Sequence, residues 1–368
     1  MSGLEVIVRL PGDPGRSYPV RIAAGVLEGE RVWEAALAGV ARGVVIADSN
    51  VDPLLGERVA RVVTAVTGSP AVRLSFPAGE ASKTRETWAM LTDRMLEEGV
   101  TREAAVVAVG GGVTGDLAGF VAATYMRGLR LVQVPTSLLA MVDASVGGKT
   151  AVDVPAGKNL VGAFHQPAVV LADLDTLVTL PERELRSGLA EAVKHGAIAD
   201  AEHLGWIADE AGALLAADGE ALGVLVHRSV EIKRDVVVRD ERESGPRQLL
   251  NFGHTVAHAL ETATGYGMLH GEAVAVGMVA EARIGERLEI TEAGTADRLA
   301  EVLSDLRLPT SLPDGLAPEE LVPYARRDKK ARQGAIACTL IARIGEPAEE
   351  WSTVVPEDAL LASLERTR

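Results

Sequence analysis

Short apolar runs rich in β-branched residues alternate with helical patterns in the first half of the chain, as they do in a parallel sheet flanked by helices. The predicted strands are residues 4–10, 43–47, 71–76, 104–109, 130–134 and 168–172. Between them, residues 52–66 and 82–98 place apolar side chains three or four positions apart, which is typical of amphipathic helices. We therefore predict a Rossmann-like, doubly wound α/β sheet for this half of the chain.

The pattern changes near residues 179–181, after which long helical patterns dominate. Pro181 and the acidic residues after it indicate a helix start, because proline is tolerated in a first turn and acids suit its positive end. Further helices are predicted over residues 221–238, 251–264 and 271–287, and a strand pattern returns at 335–344. The interpretation is an α/β domain over residues 1–178 and a mainly α-helical domain over residues 179–368.

Composition and charge exclude several classes of protein. A net charge of −15 and a pI near 5.0 argue against non-specific nucleic-acid binding, which needs a basic stripe to neutralise phosphates. The single Cys338 cannot form an intrachain disulfide and fits a reducing compartment. No signal-peptide pattern and no apolar run of about 18 residues is present. We expect a soluble cytoplasmic protein without a membrane or nucleic-acid partner.

A glycine-rich turn follows the predicted strand at 104–109. Residues 110–115, Gly-Gly-Gly-Val-Thr-Gly, contain G-x-G-x-x-G, whose glycines let backbone N–H groups approach a pyrophosphate at a helix start. The next strand runs into residues 134–137 without the acid that normally binds the ribose, so a purely structural turn stays open. If a dinucleotide binds, Asp48, directly after the strand 43–47, is well placed to supply that acid.

The basic residues are strongly biased toward arginine, since 30 are Arg and only seven are Lys. The Lys residues stand at positions 83, 149, 158, 194, 233, 329 and 330. Residues 143–150 resemble the end of a P-loop, but Asp143 replaces the required glycine and no predicted strand leads into the segment, which argues against an NTPase. We interpret Asp143, Lys149 and the pair Lys158-Asn159 as functional groups on glycine-permitted turns, with a solvated loop as the alternative.

Three of the seven His residues, His254, His258 and His270, lie within 17 residues. His254 and His258 are four apart, so they share one face of a helix, as paired metal ligands often do. A hydrogen-bonded core or interface role for such a His is also open. Glu191 is the candidate carboxylate ligand, and the spacing places Lys194 on the same helix face.

In combination, these segments resemble the 3-dehydroquinate synthase family. The matching segments are residues 110–120, 125–128, 135–149, 157–159, 162–167, 190–194, 233, 240–243, 247–254, 270–274 and 328–330. The resemblance covers essentially the whole chain in order. It implies a carbon–oxygen lyase that converts 3-deoxy-D-arabino-heptulosonate 7-phosphate to 3-dehydroquinate and phosphate in the shikimate pathway. It also implies bound NAD, one divalent metal (zinc or cobalt), a sugar-phosphate substrate and a homodimer.

The resemblance assigns a role to each matching residue. The metal ligands would be Glu191, His254 and His270, which moves His258 to the substrate. The catalytic and substrate-binding residues would be Asp143, Lys149, Asn159, Lys194, Lys233, Arg247, Asn251, His258 and one of Lys329 and Lys330, with Arg127 from a partner subunit. NAD would contact Asp48, Glu80, Lys83, Gly111, Gly112, Val113, Asp116, Thr136, Ser137, Lys149 and Lys158. The chain departs from the family's commoner residues at Ser137, Ala144, Asp153 and His195.

Three other functions compete with this interpretation. A sugar-phosphate cyclase of the 2-epi-5-epi-valiolone synthase type shares the NAD and metal apparatus but uses a substrate without a carboxylate. Arg247, Asn251 and His258 together instead suit a substrate that bears a carboxylate, which disfavours this alternative. A metal-dependent polyol dehydrogenase would show net redox turnover. A non-catalytic NAD-responsive protein is disfavoured, because the expected metal ligands and basic residues are all present.

Overall fold

The structure is a computed structural model that describes residues 3–12, 16–326 and 335–367. It divides into two compact units, Met1–Leu180 (unit 1) and Pro181–Arg368 (unit 2). Lys329 and Lys330 lie outside the described residues. Among the helices that are described, none is both long and apolar enough to cross a bilayer.

Unit 1 is built around a sheet with helices on its faces. Its strands are β1 (Leu4–Val8), β2 (Tyr18–Ala23), β3 (Arg42–Asp48), β4 (Val72–Phe76), β5 (Ala104–Gly110), β6 (Arg130–Pro135), β7 (Lys149–Val154), β8 (Gly157–Phe164) and β9 (Val169–Asp173). Its helices are α1 (Glu30–Ala36), α2 (Glu57–Thr67), α3 (Arg85–Glu97) and α4 (Gly112–Thr124). Seven strands form one sheet in the order β1-β2-β9-β6-β5-β3-β4, and every neighbouring pair except β1–β2 is parallel.

The sheet of unit 1 has a hydrophobic core on each face. Along β3, Val44 and Ile46 join a core that includes residues of α3 and α4, whereas Val45 and Ala47 join a core with residues of α1 and α2. Successive side chains of a strand point to opposite faces, so a strand buried on both faces reads as a continuous apolar run. The predicted doubly wound α/β sheet is confirmed.

Three of the strands described in unit 1 are absent from the sequence-based prediction. β2 pairs antiparallel with β1 and parallel with β9 at the end of the sheet, and β7 and β8 form a separate antiparallel hairpin. Lys149 opens β7, and Lys158 and Asn159 lie in β8, so the prediction that these residues lie on turns is wrong. β8 has no fully buried position and contains glycine and polar residues, so its segment resembles a loop in the sequence.

Unit 2 is mainly helical, as predicted. Its helices are α5 (Glu182–Ala199), α6 (Ala201–Asp209), α7 (Ala211–Leu215), α8 (Gly219–Arg239), α9 (His254–Ala263), α10 (His270–Arg287), α11 (Thr295–Asp305), α12 (Pro318–Ala325) and α13 (Glu357–Glu365). Its short strands are β10 (Ala337–Cys338), β11 (Ile341–Arg343), β12 (Glu346–Pro347) and β13 (Thr353–Val354). The predicted helix over 251–264 begins later, at His254, because residues Pro246–Asn251 form a 3-10 helix.

Helix α10 lies at the centre of unit 2 and packs against α5, α9, α11 and α13. Thirteen of its residues are buried, and many of them are glycine or alanine. Small residues let two helix backbones approach closely, so the positions of α5 and α9 depend on this helix.

Candidate active-site residues

Helices α5, α9 and α10 each contribute one side chain to a cluster with the donor set of a metal site. Glu191 Oε1 lies 3.1 Å from His270 Nε2 and 3.6 Å from His254 Nε2. All three potential ligand atoms lie within 4.8 Å of one another. Oxygen and nitrogen ligands at zinc's usual distances and tetrahedral angles stand about 3.3 Å apart, so the cluster fits one such ion.

Both imidazoles are oriented by groups that only accept hydrogen bonds. His254 Nδ1 lies 3.1 Å from the carbonyl oxygen of Phe252, and His270 Nδ1 lies 3.5 Å from the carboxylate of the buried Glu261. The proton of each ring therefore belongs on Nδ1, which leaves Nε2 facing Glu191 as the ligand atom. Sequence reasoning missed the role of Glu261, although it lies seven residues after His254 on the same helix.

The two imidazoles have opposite electrostatic preferences. Burial and the Lys194 ammonium hold the pKa of His254 well below its ordinary value, so this ring is neutral, as a metal ligand must be. Burial also lowers the pKa of His270, but hydrogen bonds to Glu191 and Glu261 outweigh it and raise that pKa to about 10. A metal ion that binds His270 would therefore displace a proton from its ring.

Lys194 lies one turn after Glu191 on α5 and forms an ion pair with its Oε2. Both side chains are buried, with exposed fractions of 1% and 0%. His258 lies one turn after His254 on α9, and the two rings are 5.6 Å apart. Its ring is thus beside the cluster of Glu191, His254 and His270 without being part of it.

The remaining basic candidates of unit 2 come from α8 and from the segment after it. Lys233 and Arg247 are buried, and Asn251 donates from Nδ2 to Glu243 Oε1 at 3.0 Å. Asp240, the C-cap residue of α8, accepts backbone N–H groups from Ser244, Gly245 and Arg247 at 3.0, 2.6 and 3.2 Å. Burial raises the pKa of Asp240, but these hydrogen bonds outweigh it and lower the pKa overall. Asp240 therefore shapes the segment that presents Arg247.

In unit 1, the glycine-rich turn joins β5 to the start of α4. Gly111 is the N-cap residue of α4 and has no side chain to cap it, so the backbone N–H groups of the first turn are available to an anion. Asp48, at the end of the neighbouring β3, accepts a hydrogen bond from Thr114 Oγ1 at 3.0 Å. The structure thus places the predicted ribose acid beside the glycine turn.

A second polar cluster in unit 1 contains four further charged residues expected at NAD. The buried Lys83 lies 2.7 Å from Asp116 and 3.8 Å from Glu80, and Lys158 lies 3.6 Å from Glu80. Burial lowers the pKa of Lys83, but Asp116 and Glu80 outweigh it and raise that pKa overall. Asp153, one of the unusual residues, accepts the backbone N–H of Asn159 at 2.8 Å, and burial raises its pKa.

The remaining predicted site residues of unit 1 lie on several different elements and differ in exposure. Thr136 donates its backbone N–H to Gly110 at 2.9 Å, and Ser137 Oγ accepts the N–H of Ala140. Asp143 lies in a short π-helical turn, Ala140–Ala144. Lys149, Asn159 and Arg127 are exposed, and Arg127 has a positive φ of 68°.

Family models match most of the chain. Residues 73–187 match the model described as 3-dehydroquinate synthase N-terminal, and residues 188–331 match the model described as 3-dehydroquinate synthase C-terminal. The chain belongs to the 3-dehydroquinate synthase family. A 3-dehydroquinate synthase from Symbiobacterium thermophilum is 50% identical over 331 residues, which are 89% of this chain and 92% of that relative.

Two solved structures of other cyclases share the fold of this family member. A 2-deoxy-scyllo-inosose synthase complexed with carbaglucose-6-phosphate, NAD+ and Co2+ has a TM-score of 0.90 at 27% identity and covers both chains fully. The 2-epi-5-epi-valiolone synthase ValA from Streptomyces hygroscopicus subsp. jinggangensis, with NAD+ and Zn2+ bound, has a TM-score of 0.83 at 28% identity over 95% of this chain and 96% of ValA.

Proposed function

We propose that this enzyme converts 3-deoxy-D-arabino-heptulosonate 7-phosphate to 3-dehydroquinate and phosphate, and thus acts as a carbon–oxygen lyase. The observation that carries the proposal is the 50% identity to a 3-dehydroquinate synthase along 89% of the chain. The cluster of Glu191, His254 and His270 adds a donor set with the chemistry that such an enzyme needs.

Glu191, His254 and His270 would hold the metal, with three protein ligands and a position left for substrate. When bound, a divalent ion there polarises substrate hydroxyl groups and lowers the pKa of the one that is oxidised. The proposal takes support from the Co2+ and Zn2+ named with the two related cyclases. Glu261 and the Phe252 carbonyl keep both imidazoles turned toward the ligand position.

NAD would bind unit 1 at the glycine turn, since NAD+ is named with both related cyclases. When bound, NAD supplies a hydride acceptor that returns the hydride later in the same turnover. The first-turn N–H groups of α4 would hold the pyrophosphate, and Asp48 the ribose. Lys83 and Lys158, each beside Glu80, would contact the rest of the cofactor.

A substrate with a phosphate and a carboxylate needs cations, although the chain carries a net charge of −15. We assign Lys233 and Arg247, which are buried in unit 2, to these anionic groups together with Asn251 and His258. Lys194, paired with Glu191, would face the reacting hydroxyl groups. Asp143, Lys149, Asn159 and one of Lys329 and Lys330 complete the proposed set.

We further propose a homodimer in which Arg127 reaches the substrate site of the partner subunit. Its neighbours Met126, with a φ of 50°, and Gly128, with a φ of 123°, place the exposed Arg127 on a tightly turned segment of unit 1. A cytoplasmic location stays a prediction.

A phosphate-release assay tests the reaction directly. The purified enzyme, supplied with zinc and NAD, should release phosphate from the heptulosonate phosphate while total NADH stays constant. Release only from sedoheptulose 7-phosphate would instead support a 2-epi-5-epi-valiolone synthase. Stoichiometric accumulation of NADH would support a polyol dehydrogenase. The variant Arg247→Gln should raise KM for the carboxylate-bearing substrate, and an unchanged KM would remove Arg247 from the proposed site.

A further inference from the structure

Helix α9, which begins at the proposed ligand His254, has no cap of its own. Its N-cap residue is Gly253, with a φ of 82° and no side chain. The first N–H groups of a helix have no partner within the helix, and buried N–H groups need an acceptor. Thr255 and Val256, in this first turn, are both buried. The acceptor must therefore come from another element.

A capping side chain does not fit at the start of α9, because this segment packs against α10 backbone to backbone. A Cβ on Gly253 would lie 2.8 Å from Met278 Cγ and 2.9 Å from Met278 N. In the opposite direction, a Cβ on Gly277 would lie 2.0 Å from the carbonyl oxygen of Gly253. The two glycines thus bring the backbone beside His254 directly onto α10.

Glu281, one turn after Gly277 on α10, supplies the missing acceptor. Its side chain is fully buried, and its carboxylate accepts the N–H groups of Gly253 at 2.8 Å, Thr255 at 2.9 Å and Val256 at 3.2 Å. A negative charge at a helix N-terminus also interacts favourably with the helix dipole. These three N–H groups lie immediately before and after His254, so the carboxylate fixes the backbone on both sides of that residue.

The same helix therefore controls two proposed metal ligands. His270 is the first residue of α10, and Gly277 and Glu281 follow it by seven and eleven positions, which places all three on one helix face. We propose that Glu281 is a positioning residue of the metal centre, which holds His254 in place relative to His270. This inference rests on the proposed metal-dependent function.

The test measures cobalt binding in the absence of substrate. In Glu281→Gln, the carboxylate charge is lost and the amide NH2 of the new side chain cannot accept the backbone N–H groups. We expect the dissociation constant for Co2+, measured by competition with a chelator, to rise at least about tenfold, as it does when partners of metal ligands are removed. The visible absorption spectrum of bound Co2+, which reports ligand geometry, should change as well.

Glu286 provides a matched control on the same helix. Its carboxylate accepts the N–H of Ala296 at 2.9 Å in the first turn of α11, and α11 contains none of the proposed active-site residues. Glu286→Gln should lower thermal stability but leave the Co2+ dissociation constant and spectrum unchanged. A Glu281→Gln variant with wild-type Co2+ affinity and spectrum, or equal loss of affinity in both variants, would overturn the proposal.

A second variant covers the case in which Glu281→Gln does not fold. Glu281→Asp keeps the charge but is one methylene shorter, so a folded variant should bind Co2+ with an altered spectrum and lower affinity than the wild type. Wild-type behaviour of Glu281→Asp would overturn the proposal. If the wild type binds Co2+ but releases no phosphate from the heptulosonate phosphate, the proposed reaction fails while the cobalt comparison still decides the role of Glu281.

Discussion

Gly271, the residue after His270, allows α10 to contact α5, the helix that carries Glu191. A Cβ on Gly271 would lie 2.0 Å from the carbonyl oxygen of Ser187 and 2.6 Å from its carbonyl carbon. The N–H of Gly271 also donates to Ser187 Oγ at 3.0 Å. Since Ser187 lies four residues before Glu191 on the same face of α5, this contact sets the distance between two proposed ligands.

The substitution Gly271→Ala should separate these helices. Real Cβ atoms essentially never approach another atom within 3.0 Å, so the backbones must move apart by at least about 1 Å. Metal–ligand distances tolerate only about 0.2 Å, and we expect metal affinity to fall about 10–100-fold. Overpacking costs about 1–3 kcal/mol and alanine's higher helix propensity returns at most about 1 kcal/mol, so the free energy of unfolding should fall by up to about 3 kcal/mol.

Two glycine variants separate this effect from general ones. Gly205, in α6, has no atom within 4 Å of its Cβ position, so Gly205→Ala should raise the free energy of unfolding by about 0.5–1 kcal/mol without changing metal affinity. Gly285, also in α10, meets Thr291 Oγ1 at 1.9 Å, so Gly285→Ala should lose stability but retain metal affinity. Urea unfolding of the metal-free protein and chelator competition for zinc measure both quantities. If Gly271→Ala behaves like either control, the reasoning is refuted.

Three further predictions concern individual side chains. His254→Ala and His270→Ala should abolish metal retention, whereas His258→Ala should keep the metal and lose activity. Elemental analysis of the three variants measures the bound metal. Equal metal loss in all three would support His254 and His258 as the paired ligands that their spacing suggests. Glu261→Gln should weaken metal binding about 10–100-fold, because His270 loses the carboxylate that holds Nδ1–H, and an unchanged dissociation constant would contradict this. Burial, with Arg228, lowers the pKa of His203 to about 4 from an ordinary value of 6.5, so the folded protein keeps this ring neutral while the unfolded chain takes up a proton. The free energy of unfolding should therefore be unaffected above pH 6.5 and fall by about 3 kcal/mol as the pH drops from 6.5 to 4. Urea unfolding across that range should show a smaller decrease in His203→Gln, and an identical decrease would exclude His203 as its cause.

The central parallel strands β3, β5, β6 and β9 could be predicted because burial on both faces requires continuous apolar runs. Residues 104–109 are an example, and β5 (Ala104–Gly110) is buried throughout. The hairpin of β7 and β8 could not be predicted in this way, because β8 exposes Leu160 and Phe164 and contains two glycines. Its strand conformation depends on pairing with β7, which is a tertiary interaction.

For the proposed metal ligands too, the sequence predicts the candidate residues but not which of them come together. Residue type and clustering identify Glu191, His254 and His270 as candidates, but helical spacing alone favours His254 with His258, because spacing reports only neighbours on one helix. The set of Glu191, His254 and His270 requires three helices to meet. That meeting depends on contacts between distant segments, such as Gly271 with Ser187, which no local pattern contains.

The acidic residues that position the proposed ligands could not be predicted either, because a sequence alone does not distinguish a buried acid from an exposed one. Glu281 follows the apolar face of α10 and, by itself, reads as a helix residue exposed to solvent. One signal was available: Glu281 comes four residues after Gly277, on a face of α10 that begins with His270 and otherwise carries apolar or small side chains. Burial of a carboxylate is costly unless hydrogen-bond donors surround it. The uncapped start of α9 provides three such donors, the N–H groups that Glu281 accepts. Gly277 lets α9 and α10 pack backbone to backbone, which leaves no room for a capping side chain on α9. Glu281 then supplies the acceptor that the first N–H groups of α9 need.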